Sequence, residues 1–335
     1  MSIFTEPSFG AAILTHLTRL NYVDDHILYF MTLLSHYNLT QPAIFELDGR
    51  WMARWSDCDK RILSQARKQL QGELKGKLSK RCTHVKSHGG VKKSIRLLVR
   101  AIPEFSYAAR FDVARYYDSI DHDVLLLQLK DMQVSSYSQD IVRQYLALPD
   151  RRKLGRGIIA GGSLSPLLGA VMLTALDKAM EVKVRTGAIW YIRYMDDFLV
   201  LAKTRHQFRQ TMKQVHRVMR QLKLTLHRKQ KCFIGKTKIG FDFLGYQVCP
   251  NHKLHPSAES MRRLTTRYRR LYEQGVSVNR LRQYLDRWCC WLWGGLGGLV
   301  SRQGGAQKYW RRKKSYKESL ESTTTQCILI IPNYC

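Results

Sequence analysis

The chain has 335 residues, with 56 Lys and Arg against 26 Asp and Glu, for a formal charge of +30. At about 100–200 residues per domain its length admits two or three domains, and an apolar content of 44% excludes a disordered tail that condenses nucleic acid by charge alone. The charge is uneven, −3 over residues 1–50 and +33 over the rest, and self-repulsion of that size is relieved by a habitual polyanionic partner, most commonly nucleic acid.

Residues 1–50 read as mixed helix of apolar character, with Ile13, Leu14, Leu17 and Leu20 followed by Ile27, Leu28, Phe30 and Met31. Residues 51–80 read as a basic helical stretch, Arg61, Arg67, Lys68 and Lys75 being spread among Ile62, Leu63, Leu70 and Leu74. A short strand is expected over 106–113, SYAARFDV, and a helix over 122–130. The clearest hairpin signal is AIWYIRYMDDFLVLAK, residues 188–203, where two β-branched and aromatic runs flank Met195, Asp196 and Asp197. A basic amphipathic helix follows over 207–222, with Phe208, Met212, Val215 and Met219 on one face. Residues 241–248, FDFLGYQV, read as one more strand, and Pro250 and Pro256 bracket a turn. Two helices close the folded part. The first places Arg263, Arg267 and Arg270 on one face; the second carries an apolar stripe of Val278, Leu281, Leu285, Trp288 and Leu292 behind Ser277 as N-cap. Trp288, Trp291 and Trp293 are expected in packing, and residues 301–335 to be loosely ordered.

The eight cysteines form no C-x-x-C pair, which points to neither a zinc ribbon nor a disulfide scaffold. The first residues lack a positive n-region, and no apolar run approaches the ~20 residues of a membrane span. A reducing, cytoplasmic setting and no membrane partner are the expectation.

Acids are scarce, so their placement is informative. Asp112 ends one expected strand, and Asp196 and Asp197 lie in the turn of a hairpin about eighty residues later. If those strands are neighbours, three carboxylates meet at one sheet edge, where mutual repulsion makes the cluster costly unless a cation joins it. Oxygen donors of this kind suit Mg²⁺, and two such ions support in-line phosphoryl displacement. A bare Asp-Asp pair fits ordinary turn residues equally well.

The surroundings change that balance. RFDVARYYDSIDH, GGSLSPLLGA, YIRYMDDFLVL and FDFLGY occur in this order. Together they resemble the palm motifs of reverse transcriptases, most closely the bacterial type related to group II intron enzymes, over about residues 84–298. The resemblance implies an α+β right-hand polymerase: an N-terminal extension and fingers in residues 1–105, an antiparallel-sheet palm with an inserted fingers segment in 106–250, a helical thumb in 251–300 and a basic tail in 301–335. It implies a catalytic, metal-binding set of Asp112, Asp196 and Asp197 around two Mg²⁺ ions, the first two as ligands and the third in support. Tyr117 matches the steric gate that selects dNTPs, while Asp118 and His122 match a D-S-I-D-H pattern that orients a helix.

Gly162 belongs to the block beside the nucleotide base, where glycine permits close backbone approach and Ser165-Pro166 starts a helix. This chain has Gly161 where relatives usually carry Gln, which puts one polar contact to the nucleotide in doubt. The stretch HVKSHGGVKKSIR, residues 84–96, resembles the fingers motif that grips the triphosphate, with Lys86, Lys92, Lys93 and Arg96 as candidates. Lys231 fits the position of a lysine that protonates the pyrophosphate leaving group. Arg263, Arg267 and Arg270 resemble a thumb face that tracks a duplex backbone.

By elimination the resemblance narrows to a stand-alone bacterial enzyme. Ser165-Pro166 disfavours diversity-generating retroelements, GVSVN disfavours retrons, and Cys/His pairs for an HNH nuclease are lacking. Defence-associated enzymes that copy a partner non-coding RNA fit what remains. The implied partners are an RNA template, the DNA product and dNTPs. An RNA-dependent RNA polymerase and a catalytically silent RNA-binding protein are the rivals. Tyr117 argues against the first and the intact aspartates against the second.

Overall fold

The computed structural model describes residues 39–40, 42–47, 50–148, 155–159, 161–227 and 232–301. In chain order the elements are β1 (Ala43–Leu47), β2 (Arg50–Arg54), α1 (Asp57–Glu73), α2 (Gly90–Ala101), β3 (Tyr107–Phe111), α3 (Tyr116–Ser119), α4 (His122–Asp131) and α5 (Ser136–Ala147). They continue with α6 (Ser165–Met172), α7 (Thr174–Arg185), β4 (Ile189–Tyr194), β5 (Asp197–Ala202), α8 (Arg205–Gln221) and β6 (Phe233–Lys236). Last come β7 (Phe241–Phe243), β8 (Tyr246–Val248), β9 (His255–Pro256), α9 (Ala258–Glu273) and α10 (Val278–Trp293). No helix among the described residues is long and apolar enough to cross a membrane. The helix expected within residues 1–38 and the tail beyond residue 301 lie outside the described residues.

Three sequence expectations change. Residues 43–47 and 50–54 pair as an antiparallel hairpin rather than continuing a helix. The stretch 241–248 is two strands, β7 and β8, because Leu244 and Gly245 both take positive φ, 48° and 86°. Paired left-handed residues match the right-handed twist of the flanking strands and close a two-residue hairpin. Val278, the first residue of the expected apolar stripe of α10, is exposed, while Leu281 and Leu292 are buried.

The chain divides into two compact units that are interleaved in sequence. Among the described residues, the first comprises those up to Val85, within Val113–Ala179 and within Gln214–Leu226. Its helices are joined by charge as well as by apolar packing. Glu73, at the end of α1, accepts from the Ser135 amide at 2.8 Å, the Ser135 hydroxyl at 2.7 Å and the Ser138 hydroxyl at 2.8 Å. A carboxylate at the N-terminus of α5 meets free amides and the positive end of the helix dipole. Burial raises the Glu73 pKa, but these bonds outweigh it and hold the carboxyl below its ordinary value.

Asp121 does similar work for α4. Its side chain accepts from the Val124 amide at 3.1 Å as N-cap, and Lys223 Nζ sits 2.8 Å away. The cap of the D-S-I-D-H block is therefore Asp121, while His122 Nε2 lies 2.8 Å from the Gly157 carbonyl.

The second unit comprises Lys86–Asp112, Met180–Lys213 and the residues from His227 onward. It holds an antiparallel sheet of order β4-β5-β3-β6 and a smaller one of order β7-β8-β9. Strand alternation sorts β3 and β5 into two faces. Ala108, Leu199 and Leu201 share one core with Ile95 and Leu98 of α2, Phe243 and Tyr246 of the small sheet, and Leu292 of α10. Tyr107, Ala109 and Phe111 point the other way, where Phe111 meets Phe198 at 5.3 Å and Tyr107 stacks on Phe208 of α8 at 5.6 Å.

Asp121 yields a pH-dependent expectation. Burial raises its pKa, but hydrogen bonds from Lys223 and Val124 and the charges of Lys223 and Arg156 prevail, so it stays below its ordinary value. A carboxylate with a lowered folded pKa stabilises the fold above the ordinary range, about 4, and loses that contribution as pH falls through the folded value. Asp121→Asn should cost about 1–2 kcal/mol near neutral pH. In chemical denaturation across a pH series, the gap from the parent protein should close on acidification.

Candidate active site

The sheet of the second unit converges three carboxylates by register alone. Phe111 of β3 pairs with Phe198 of β5, so one further step sets Asp112 opposite Asp197. Residues directly opposite in an antiparallel pair point to the same face. Asp196 lies in the two-residue connection between Tyr194 and Asp197, which are themselves paired. The Asp112 carbonyl is fixed by the His227 amide at 2.9 Å.

Met195 occupies that turn with φ 58°. A non-glycine residue there costs roughly 1–2 kcal/mol, so other contacts must hold it. One is Arg193, whose guanidinium is fully buried and donates to the Met195 carbonyl at 2.8 Å. The turn that presents Asp196 is thus braced from beneath by a side chain of the strand leading into it.

Three acids this close are electrostatically coupled. Burial pushes the Asp197 carboxyl up to about 7; the Arg110 guanidinium opposes the rise, and the charges of Asp112 and Asp196 add to it. Arg110 Nε lies 3.3 Å from Asp197 Oδ1, and its Nη1 donates to the Asp242 carbonyl at 2.8 Å. This arginine bridges the carboxylate site and the β7–β8 hairpin. The sequence reading omitted it, although a cation two residues before Asp112 must share that strand's face.

The donor set fits a hard divalent cation, since all three groups are carboxylates in a setting that penalises their joint ionisation. Among the described residues, no group of three or more His, Cys, Asp or Glu side chains is arranged as a ready-made metal site. The register of the strands brings the three carboxylates to one sheet edge.

The expected triphosphate-gripping residues separate. Lys92 and Arg96, on α2, are engaged at the end of α10. Lys92 Nζ donates to the Tyr246 hydroxyl and to the Trp291 carbonyl, lies 3.5 Å from the Leu292 carbonyl, and sits 5.1 Å from both the Tyr246 and Trp291 rings. Arg96 Nη1 donates to the Gly295 carbonyl at 2.8 Å. The last carbonyls of a helix lack partners within it and carry the negative end of its dipole, so the Lys92 ammonium finds a natural place there, while Arg96 holds the carbonyl just past the helix. Burial pulls the Lys92 pKa below its ordinary value. Gly89 and Gly90, with φ 104° and 66°, form the entry to α2 rather than an open loop. Lys231 lies outside the described residues.

On α9, Arg263, Arg267 and Arg270 are exposed along one face, but Arg263 is paired with Glu259 at 2.7 Å. Glu259 also holds Arg262 and is brought down to about 2 by the two arginines. Trp291 remains 36% exposed while stacked on Tyr246 at 5.2 Å. The expected packing role is only partly met.

Within the first unit, the GGSLSP loop is built around Tyr145. Its hydroxyl is 2.7 Å from Ser165 Oγ, which donates to the Ile159 carbonyl at 2.5 Å, and its ring stacks on Trp55 at 5.6 Å. A Cβ on Gly162 would fall 1.7 Å from the Tyr145 hydroxyl. Gly161 has φ 80°, and a Cβ there would approach Met52 Cε at 2.8 Å. Tyr117 follows Tyr116 in α3, their rings 5.7 Å apart, and the Tyr116 hydroxyl donates to the Gly169 carbonyl.

The family described as reverse transcriptase (RNA-dependent DNA polymerase) matches residues 51–248. No curated protein matches the sequence. Among solved structures, telomerase from Candida albicans in complex with a TWJ fragment of telomeric RNA is similar at a TM-score of 0.51 and 14% identity, covering 88% of this chain and 57% of that one. Telomerase from Candida tropicalis with the same kind of fragment gives 0.51 and 11%, covering 90% and 58%. Its apo form gives 0.50 and 13%, covering 79% and 56%. This chain thus spans a little over half the length of those structures, and at such identity the likeness is one of fold.

Gly162 offers a test of the loop's construction. Gly162→Ala should cost about 2 kcal/mol by forcing Tyr145 aside. Adding Tyr145→Phe, which removes the clashing oxygen, should recover part of that loss in thermal melts.

Proposed function

Because the chain belongs to the reverse transcriptase (RNA-dependent DNA polymerase) family, we propose that it is an RNA-directed DNA polymerase adding dNTPs to a 3′-hydroxyl. One observation carries the reading: the β3–β5 register sets Asp112 opposite Asp197, with Asp196 in the adjoining turn. Asp112 and Asp196 are the residues that would hold divalent cations, Mg²⁺ by donor chemistry, with Asp197 in support. When bound, such ions lower the pKa of an attacking hydroxyl and neutralise charge on the leaving phosphate.

The chain's own residues prepare the site. Arg110 offsets the charge of Asp197, Arg193 fixes the turn carrying Asp196, and the His227 amide fixes the backbone at Asp112. Positions held before substrate arrives need no reorganisation during reaction.

Tyr117 is the proposed gate against ribonucleotides, and the Gly162 backbone the surface that the base approaches. Lys86 and Lys231 remain candidates for triphosphate contact and for protonating the leaving group. Lys92 and Arg96 are candidates for the same contact, with bonds to the Tyr246 hydroxyl and the Gly295 carbonyl that a triphosphate would have to replace. Arg267 and Arg270, with Arg263, are proposed to follow a duplex backbone. The finer assignment is a bacterial enzyme, related to group II intron enzymes, that copies a partner non-coding RNA in a defence or retroelement setting. The four sequence blocks support the group II relation, and the defence setting rests on elimination of the diversity-generating and retron types.

Purified protein with Mg²⁺, dNTPs and a primed RNA template should extend the primer, and Asp196→Asn should reduce the rate ~10³-fold or more, since the lost stabilisation amounts to several kcal/mol. Unchanged extension by that variant would remove the carboxylate assignment. Tyr117→Ala should lower the preference for dNTPs over rNTPs by roughly 10²-fold. Sequencing the nucleic acid that co-purifies from cells tests the partner: one recurrent RNA with its complementary DNA is expected, and a random mixture counts against a dedicated template.

A further inference from the structure

From Phe198 to Phe241 the sequence contains no Asp or Glu, and α8 runs through the middle of that stretch. The helix is well defined. Thr204 and Gln207 form a reciprocal capping box, Gln207 N donating to Thr204 Oγ1 at 3.2 Å and Thr204 N to Gln207 Oε1 at 3.3 Å. Phe208, Val215, Val218 and Met219 are buried. Arg205, Arg209, Lys213, Arg217 and Arg220 are exposed on the opposite face. Their spacing of three and four residues makes a stripe about 22 Å long at 1.5 Å per residue. Among the described residues none of the five is in an ion pair. Five uncompensated cations on one helix face repel one another, which makes this arrangement different from the Glu259-paired arginines of α9.

The location follows from the sheet. Phe208 stacks on Tyr107, and Tyr107 points to the face of β3 opposite that of Arg110 and Asp112. Through Phe208, α8 packs behind the sheet whose front carries the carboxylates, and the basic stripe is on the face of the helix turned away from Phe208. We propose that this face of α8 is a second nucleic-acid surface, binding the phosphate backbone of an RNA duplex outside the copied region. Charge complementarity names the occupant: over about 22 Å a duplex presents roughly a dozen phosphates, enough to engage all five cations. That the polyanion is RNA rests on the polymerase reading, whereas the anion-binding face does not.

The experiment compares the full chain with a variant carrying Arg205→Gln, Arg209→Gln, Lys213→Gln, Arg217→Gln and Arg220→Gln. A second variant replaces the four arginines by lysine. The probe is a blunt RNA duplex of about 20 base pairs, with affinity followed by fluorescence anisotropy across a salt series. Loss of five contacts at about 0.9 each should lower the log–log salt slope by about 4.5 and weaken low-salt affinity by about 10²-fold or more. The lysine variant should retain binding, and extension of a short primed template should stay within about twofold in both. An unchanged slope in the glutamine variant overturns the proposal, as does an equal loss of short-template extension, which would place the helix in the catalytic path. Displacement of the RNA by polyglutamate as readily as by unlabelled duplex overturns the assignment to nucleic acid. If neither protein extends a primer but the slope still falls, the surface stands and the polymerase reading fails.

Discussion

Like charges brought together in a protein interior repel, and the placement of Asp112, Asp196 and Asp197 at one end of a sheet is the constraint around which the second unit is arranged. β3 must lie beside β5 for the first acid to meet the other two. Arg110 must share their face to offset Asp197, and it reaches on to the β7–β8 hairpin, so the small sheet is tied to the large one through the same side chain. Arg193 spends a fully buried guanidinium on the carbonyl of a turn residue with positive φ. None of these contacts is needed by a sheet as such. Each makes sense as support for acids that would otherwise move apart.

Three groups of basic residues away from the carboxylates are placed in different ways. Lys92 is bonded at the end of α10 and Arg96 to the loop just after it. Arg262 and Arg263 are shared with a single acid on α9, an exposed pairing worth little to stability. The stripe on α8 has neither use. Net charge alone does not distinguish these roles, and of the three groups the last adds most directly to the field felt by a distant polyanion.

Much of this was legible in the sequence. The β4–β5 hairpin follows from its β-branched and aromatic runs, and α8 from its periodicity, because local pattern and tertiary structure agree there. Other features depend on partners remote in sequence. Lys92 reads as a free lysine in a glycine-rich basic turn, and nothing near it announces the α10 carbonyls some 200 residues away. Arg110 was within reach, since strand alternation places it beside Asp112. The β1–β2 hairpin had its signal as well: Asp48-Gly49 is a favoured hairpin dipeptide, but the apolar residues before it suggested helix. In FDFLGY the turn is concealed because Leu244 is not a turn residue by composition, and only the glycine after it hints at two strands.

The strand order has a consequence for how the molecule is made. β3 leaves the ribosome long before β5 and β6, yet it lies between them in the finished sheet. Until they arrive, an apolar strand with two open edges has no native neighbour, a state prone to pairing with the wrong chain. The two units are also interleaved, so neither can be completed from a contiguous stretch of nascent chain. Such non-local pairing makes folding slow and delays it until most of the chain has been synthesised. The carboxylate cluster is thus assembled only when the chain that must bear its repulsion is already present.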